Sequence, residues 1–298
     1  MKSISPFDVY LGAPIDMIKR IGLGYALAHE MNDNTTMEIY RSLNRLILDN
    51  GADELGEGQG GARLAYLAGR LNPEWIILPD VLHKDKETRK RGEKFYNEMK
   101  DSGYTGKFMS VIQAKTLEKG LKSYEFWDQS GMVDRIGITY DTKIDTVDYK
   151  IPTWGKRLEF LRCLADSKEY KKGNKTGIHM LGTLEVAELF KLTRDINYEQ
   201  ALDIVVSHDT TAPYACDTRF NVDKTISFGR EKNWKPLQFH KHKSREQEEI
   251  AYWNIACYLT ACMVPFDLWE QYLSRANAEF HYKDKGLKKY YEKNSTDS

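Results

Sequence analysis

The sequence predicts a single-domain (β/α)8 barrel. Three observations carry that expectation: eight short apolar runs recur along the 298 residues, the stretches between them carry helical spacing, and no low-complexity linker or composition break separates a second domain. Continuous apolar runs, rather than alternating ones, are what strands buried on both faces require, and strands separated by helices pair in parallel.

In chain order the runs are FDVYLGAP (7–14), NRLILDNGA (44–52), EWIILPDV (74–81), GKFMSVIQ (106–113), DRIGITY (134–140), KTGIHMLG (175–182), LDIVVSHDT (202–210) and KTISFGR (224–230). After the second run, Leu64, Leu67, Ala68 and Leu71 fall on one helical face. Phe95, Tyr96 and Met99 do so after the third, Leu158, Leu161 and Leu164 after the fifth, and Leu184, Ala187, Glu188 and Phe190 after the sixth. A basic loop, REKNWKPLQFHKHKSR (230–245), follows the eighth run, then a long helix from about 246, and a polar tail from about 283 whose end should fray. A doubly wound open sheet is the competing architecture.

Composition narrows the function classes. Lys plus Arg and Asp plus Glu both number 44, so no whole-molecule field draws the chain to nucleic acid, and any such binding must come from a local patch. Four scattered cysteines without CxxC fit neither a disulfide framework nor a structural zinc site. No apolar window approaches a membrane span and no signal segment is visible, so the expectation is a cytoplasmic protein without a membrane partner. The sequence leaves the oligomeric state open.

In a (β/α)8 barrel the chemistry sits where strands end, on the C-terminal face. Here the runs end in Asp49 and Asn50, in Asp80, in Gln113, in Gly137 and Thr139, in His179, and in His208 with Asp209. A lone Asp after a strand is most often a helix cap, and Asp80, ahead of KDKETRKRGEKF, is the best candidate for that role. Several carboxylates and a glutamine converging on one mouth point instead to a site. HExxH, CxxC and Walker motifs are absent, so no metal and no cofactor is expected. Carboxylate chemistry and amide recognition remain: one aspartate can hold a covalent glycosyl intermediate while a second transfers the proton. Base exchange or N-glycosidic cleavage fits that set.

In ordered motifs the chain resembles the tRNA-guanine transglycosylase superfamily, and most of all its compact phage branch, the DNA guanine transglycosylases that place 7-deazaguanines in DNA. The motifs are LILDNGADELGEG, WIILPDVLHKDKETRKRG, KFMSVIQAKTLEKGLKSYEFW, VDRIGITYD, GIHMLGTLEVAELF and IVVSHDTTAPYACDTRF. The resemblance implies a barrel that exchanges guanine for a 7-deazaguanine base through an aspartyl-sugar adduct, in the host cytoplasm. By position it implies Asp209 as nucleophile and Asp49 as acid/base. It further implies that Asp80, Gln113 and the Gly137 backbone read the base. His179 would either touch the base or support the site from the core. Asp217, eight residues on, competes with Asp209, which is preferred because it directly ends the apolar run.

The tRNA members hold a structural zinc with CxCxxC and a later His. Nothing here matches that pattern, so a barrel without the zinc-binding subdomain is expected. For DNA, the candidate phosphate contacts are Arg219, Arg230, Lys232, Lys235, Lys241, Lys243 and Arg245. The alternatives are a tRNA substrate, a nucleosidase that ends with water, and a barrel that binds nucleobase or nucleic acid without turnover.

Overall fold

Eight parallel strands curl into a nearly closed barrel with helices between them, a (β/α)8 fold. The computed structural model describes residues 8–11, 22–43, 45–140, 142–144, 153–183, 188, 192, 203–210 and 245–263. The strands are β1 (Asp8–Leu11), β2 (Leu23–Leu27), β3 (Arg45–Asp49), β4 (Trp75–Ile77), β5 (Lys107–Val111), β6 (Arg135–Thr139), β7 (Gly177–Leu181) and β8 (Val205–Thr210). They lie in the order β1-β8-β7-β6-β5-β4-β3-β2, and the two ends of that order, β1 and β2, approach each other to bring the sheet round.

The period of two along each strand divides the side chains between two layers. Tyr10, Ile47, Trp75, Ile77, Met109, Val111 and Leu181 point inward and pack as one cluster. Their strand neighbours Leu46, Leu48, Ile76, Phe108, Ile136, Ile138, Ile178 and Met180 point outward into the larger core beneath the helices. Both layers are buried, which explains the continuous apolar runs.

The helices are α1 (Asn34–Arg41), α2 (Ala52–Leu55), α3 (Gly61–Leu71), α4 (Asp85–Asp101), α5 (Leu117–Ser130), α6 (Thr153–Asp166), α7 (Lys168–Lys172) and α8 (Arg245–Met263). Leu64, Leu67, Ala68 and Leu71 of α3 form its buried face, as their spacing predicts. Gly92 of α4 lies where a Cβ would come within 2.8 Å of the Trp127 ring on α5, so its lack of a side chain lets the two helices close. No helix among the described residues is long and apolar enough to cross a membrane.

One strand of the barrel is not expected from the sequence. β2, LGYAL, is not among the eight expected runs, because Gly24 and Ala26 dilute its β-propensity over only five residues. It is fixed by in-register pairing with β3, Leu23 opposite Arg45 through Leu27 opposite Asp49. VVSHDT is therefore the eighth strand rather than the seventh, and it pairs with β1, Tyr10 opposite Asp209. The segment KTISFGR (224–230), expected as a strand, lies outside the described residues, as do most of the basic loop and the polar tail.

Polar contacts hold together the N-terminal end of the barrel. Arg45 reaches Glu74 with Nε at 3.0 Å and Nη2 at 3.2 Å, and Nη2 also donates to the Tyr10 hydroxyl at 2.7 Å, which in turn donates to Glu74 at 3.0 Å. The Arg135 guanidinium lies 4.0 Å from the centroid of the Trp75 ring. The strand ends on the opposite, C-terminal side carry the carboxylates.

Candidate active site

Asp49 is the last residue of β3. Its Oδ2 accepts a hydrogen bond from the Tyr25 hydroxyl on neighbouring β2, and its Oδ1 accepts from the Gly51 N–H at 2.9 Å. Gly51 adopts φ +75°, and a Cβ there would come within 2.4 Å of His29, so only glycine suits this turn. Desolvation pushes the Asp49 carboxyl up to about 6. The two hydrogen bonds oppose the rise, and the negative charge of Asp209 adds to it.

Asp80, three residues past β4, is buried at 3 % exposure and does not cap the following helix, whose N-cap is Lys84. Its Oδ1 accepts from Asn50 Nδ2 at 2.7 Å and its Oδ2 from Gln113 Nε2 at 2.6 Å. Burial lifts its carboxyl to about 7 against these two donors, with the charge of Asp49 adding to the rise. Gln113 is held at both ends of its amide, since Oε1 accepts from the His83 N–H at 2.9 Å. Asn50 also donates to the Leu78 carbonyl and accepts from Ala52 N–H, so it ties the end of β3 to the end of β4. The glycine-rich GEGQGG segment folds onto the same edge, with Gly58 N–H donating to the Asp80 carbonyl at 2.7 Å and Gln59 N–H to the Asn50 carbonyl at 2.8 Å.

A raised carboxyl pKa has a definite sign in folding. Between about pH 4 and pH 7 the native Asp80 binds a proton that the unfolded chain does not, so its contribution to stability falls as pH rises through that window and is constant above it. Relative to Asp80→Asn, the wild-type protein should lose about 4 kcal/mol across this range. Urea unfolding of both proteins at pH 4.5, 6 and 8 measures the difference; parallel curves would refute it.

Asp209 sits near the C-terminal end of β8 at 5 % exposure. Its Oδ1 receives the Gly182 N–H at 3.1 Å and faces His179 Nε2 at 3.0 Å, while Oδ2 lies 3.2 Å from the same Gly182 nitrogen. Gly182 follows β7 with φ +66°, a left-handed bend that aims its N–H at the carboxylate. Arg157 fixes the same bend: its Nη1 donates to the Leu181 carbonyl at 2.5 Å and the Ile138 carbonyl at 3.2 Å, and its other nitrogens pair with Glu188 at 2.7 and 2.6 Å.

His179 and Gly137 lie mid-strand rather than at strand ends, opposite one another in the β6–β7 register. His179 is fully buried and burial holds its imidazole below the usual range, only partly offset by Asp209. Its two ring nitrogens face Ser207 and Asp209, which suits a supporting part rather than a contact with ligand. The Gly137 carbonyl accepts from Ile112 N–H in the sheet, and a Cβ at Gly137 would come within 2.8 Å of Leu181, so this position keeps the barrel interior open.

Asp49 and Asp209 thus stand near the C-terminal ends of β3 and β8, with Asp80 and Gln113 just past β4 and β5 at the same mouth, where the charge of Asp209 raises the Asp49 carboxyl and that of Asp49 raises Asp80. Burial pushes two of these carboxyls up toward neutrality, and the third accepts from the Gly182 N–H and faces the His179 ring. That combination can move a proton and attack an electrophilic carbon at the same place. Tyr25, Ser207, Gly182, Arg135, Arg157 and Glu188 support the site, and none of them is singled out as a site residue by the sequence. Arg219, Arg230, Lys232, Lys235, Lys241, Lys243 and Asp217 lie outside the described residues; Arg245 begins α8, and its side chain also lies outside them.

The chain is a (β/α)8 barrel with a carboxylate-rich C-terminal mouth. No protein-family model matches it, and no curated protein matches it either.

Proposed function

We propose that the barrel is a DNA guanine transglycosylase that replaces guanine in DNA with a 7-deazaguanine base. The observation that carries the reading is Asp209, fixed by Gly182 N–H and His179 at the mouth and close enough to Asp49 for their charges to interact. The ordered motifs that resemble the transglycosylase superfamily supply the substrate class.

In the first half of the reaction an Asp209 oxygen attacks C1′ of the target nucleotide and the C1′–N9 bond breaks, with protonated Asp49 giving its proton to the departing guanine. In the second, Asp49 takes the N9 proton from the incoming 7-deazaguanine, that nitrogen attacks C1′, and the bond to Asp209 breaks. A carboxyl poised near 6 suits both directions of transfer. Asp80, with Gln113 behind it, forms the wall that reads the base edge. A target inside duplex DNA must leave the stack before Asp209 can reach it. The lysines and arginines of the 219–245 region hold phosphates, so binding should weaken steeply with salt.

Incubating the protein with labelled guanine and either DNA or tRNA tests the reading. Label is expected in DNA; preferential labelling of tRNA would reassign the polymer. Release of free base without incorporation would indicate a nucleosidase, and binding without either reaction a non-catalytic barrel.

The proton assignment gives a further expected result. Tyr25→Phe removes a donor that favours the Asp49 carboxylate, so Asp49 should stay protonated to higher pH. The alkaline limb of guanine displacement should move up by about one pH unit. An unmoved limb in the single-turnover pH profile would take Asp49 out of the acid role.

A further inference from the structure

Inside the barrel an unbroken polar chain runs from Arg135 on β6 through Ser207 on β8 and His179 on β7 to Asp209. Arg135 Nη1 lies 2.8 Å from Ser207 Oγ, Ser207 Oγ 2.8 Å from His179 Nδ1, and His179 Nε2 3.0 Å from Asp209 Oδ1. Ser207 and His179 are fully buried and Arg135 is nearly so. Such a chain across three strands and an apolar interior is costly unless every donor meets an acceptor.

Counting hydrogens orients it. A guanidinium only donates, so Ser207 Oγ accepts from Arg135. The single hydroxyl hydrogen of Ser207 is then directed to His179 Nδ1, which must be bare. The imidazole proton therefore sits on Nε2 and is donated to Asp209 Oδ1. The opposite tautomer would set the Nε2 lone pair against a carboxylate oxygen at 3.0 Å, two acceptors face to face. Burial, with the nearby Arg135 and Arg157 charges, keeps the ring neutral, so it has one proton to give. The Tyr10 ring, edge-on with its centroid 6.1 Å away, helps fix the ring plane.

Oδ1 of Asp209 therefore carries two donors, His179 Nε2–H and Gly182 N–H, whereas among the described residues Oδ2 has only the longer second contact of Gly182. We propose, resting on the base-exchange reading above, that Arg135 and Ser207 act through His179 as a positioning chain that leaves Asp209 Oδ2 as the attacking oxygen and stabilises the carboxylate when the sugar departs. In the adduct Asp209 is an uncharged ester. Its negative charge returns only as the C1′–Oδ2 bond breaks in the second half-reaction, and that is where a donor aimed at the carboxylate lowers the barrier.

His179→Leu should therefore slow release of the sugar from the enzyme by about 10²-fold while slowing its formation less, so the adduct accumulates. His179→Gln, which can place an N–H near the same position, should restore much of the release rate. Equal slowing of both half-reactions in His179→Leu, or no rescue by Gln, would overturn the kinetic part. ¹⁵N-histidine NMR of the intact protein tests the chain without turnover. The His179 signal, identified by its loss in His179→Gln, should be that of a neutral ring protonated on Nε2, and Ser207→Ala should shift its Nδ1 resonance. A ring protonated on Nδ1, or on both nitrogens, at pH 7.5 would overturn the chain. Absence of any adduct or exchange with wild-type protein would instead sink the transglycosylase reading, leaving the NMR result to decide the chain.

Discussion

Asp209→Asn should abolish base exchange, with a loss on the order of 10⁴-fold or more, while leaving the fold intact. An amide oxygen can still accept from Gly182 N–H and His179 Nε2–H, so the packing around β7 and β8 survives. What disappears is the nucleophilic oxygen, since the amide nitrogen that replaces Oδ2 has no lone pair suited to attack on C1′. Exchange of labelled guanine and a thermal melt, taken together, measure the effect: an unchanged melting temperature with activity lost is the expected pair. Retained exchange would remove Asp209 from the mechanism and return Asp217 to contention.

The largest effect on stability should come from Glu188→Ala. The Arg157 side chain is completely buried and Glu188 nearly so, and their two-pronged pairing leaves Arg157 Nη1 free to hold the Leu181 and Ile138 carbonyls. Removing Glu188 strands a guanidinium charge inside the protein, which costs about 3–5 kcal/mol. For a chain of this size that lowers the melting temperature by roughly 5–8 °C. The damage should extend to the site, because Leu181 precedes the bend that aims the Gly182 N–H at Asp209. A drop under 1 kcal/mol in urea unfolding would show that the pair is not the anchor its geometry implies.

Most of the barrel is readable from the sequence because RLILD, WII, KFMSV and RIGIT are dense in residues that fill both faces of a strand. LGYAL is not, since two of its five residues are glycine and alanine and its register is set by pairing with β3. The conspicuous residues of the site were legible for a similar reason: Asp49 and Asp209 each end an apolar run, and a charge placed there needs explanation. Asp80 was ambiguous between helix cap and site because the deciding contact, Asn50 Nδ2, comes from 30 residues away. Arg157 lies in none of the motifs, and although Ser207, Arg135 and Glu188 fall inside them, nothing local marks these three as part of the site. Arg135 meets Ser207 across 72 residues of sequence and Arg157 meets Glu188 across 31, so only the tertiary fold brings them together.

Mass mapping tests most directly whether Asp209 forms a covalent bond to a DNA sugar. Wild-type protein incubated with a guanine-containing oligonucleotide, denatured and digested, should yield a sugar-bearing peptide modified at Asp209. Adding free guanine or a 7-deazaguanine before denaturation should discharge it. A modification at Asp49 or Asp217, or no denaturation-resistant adduct under conditions where exchange proceeds, would contradict the account.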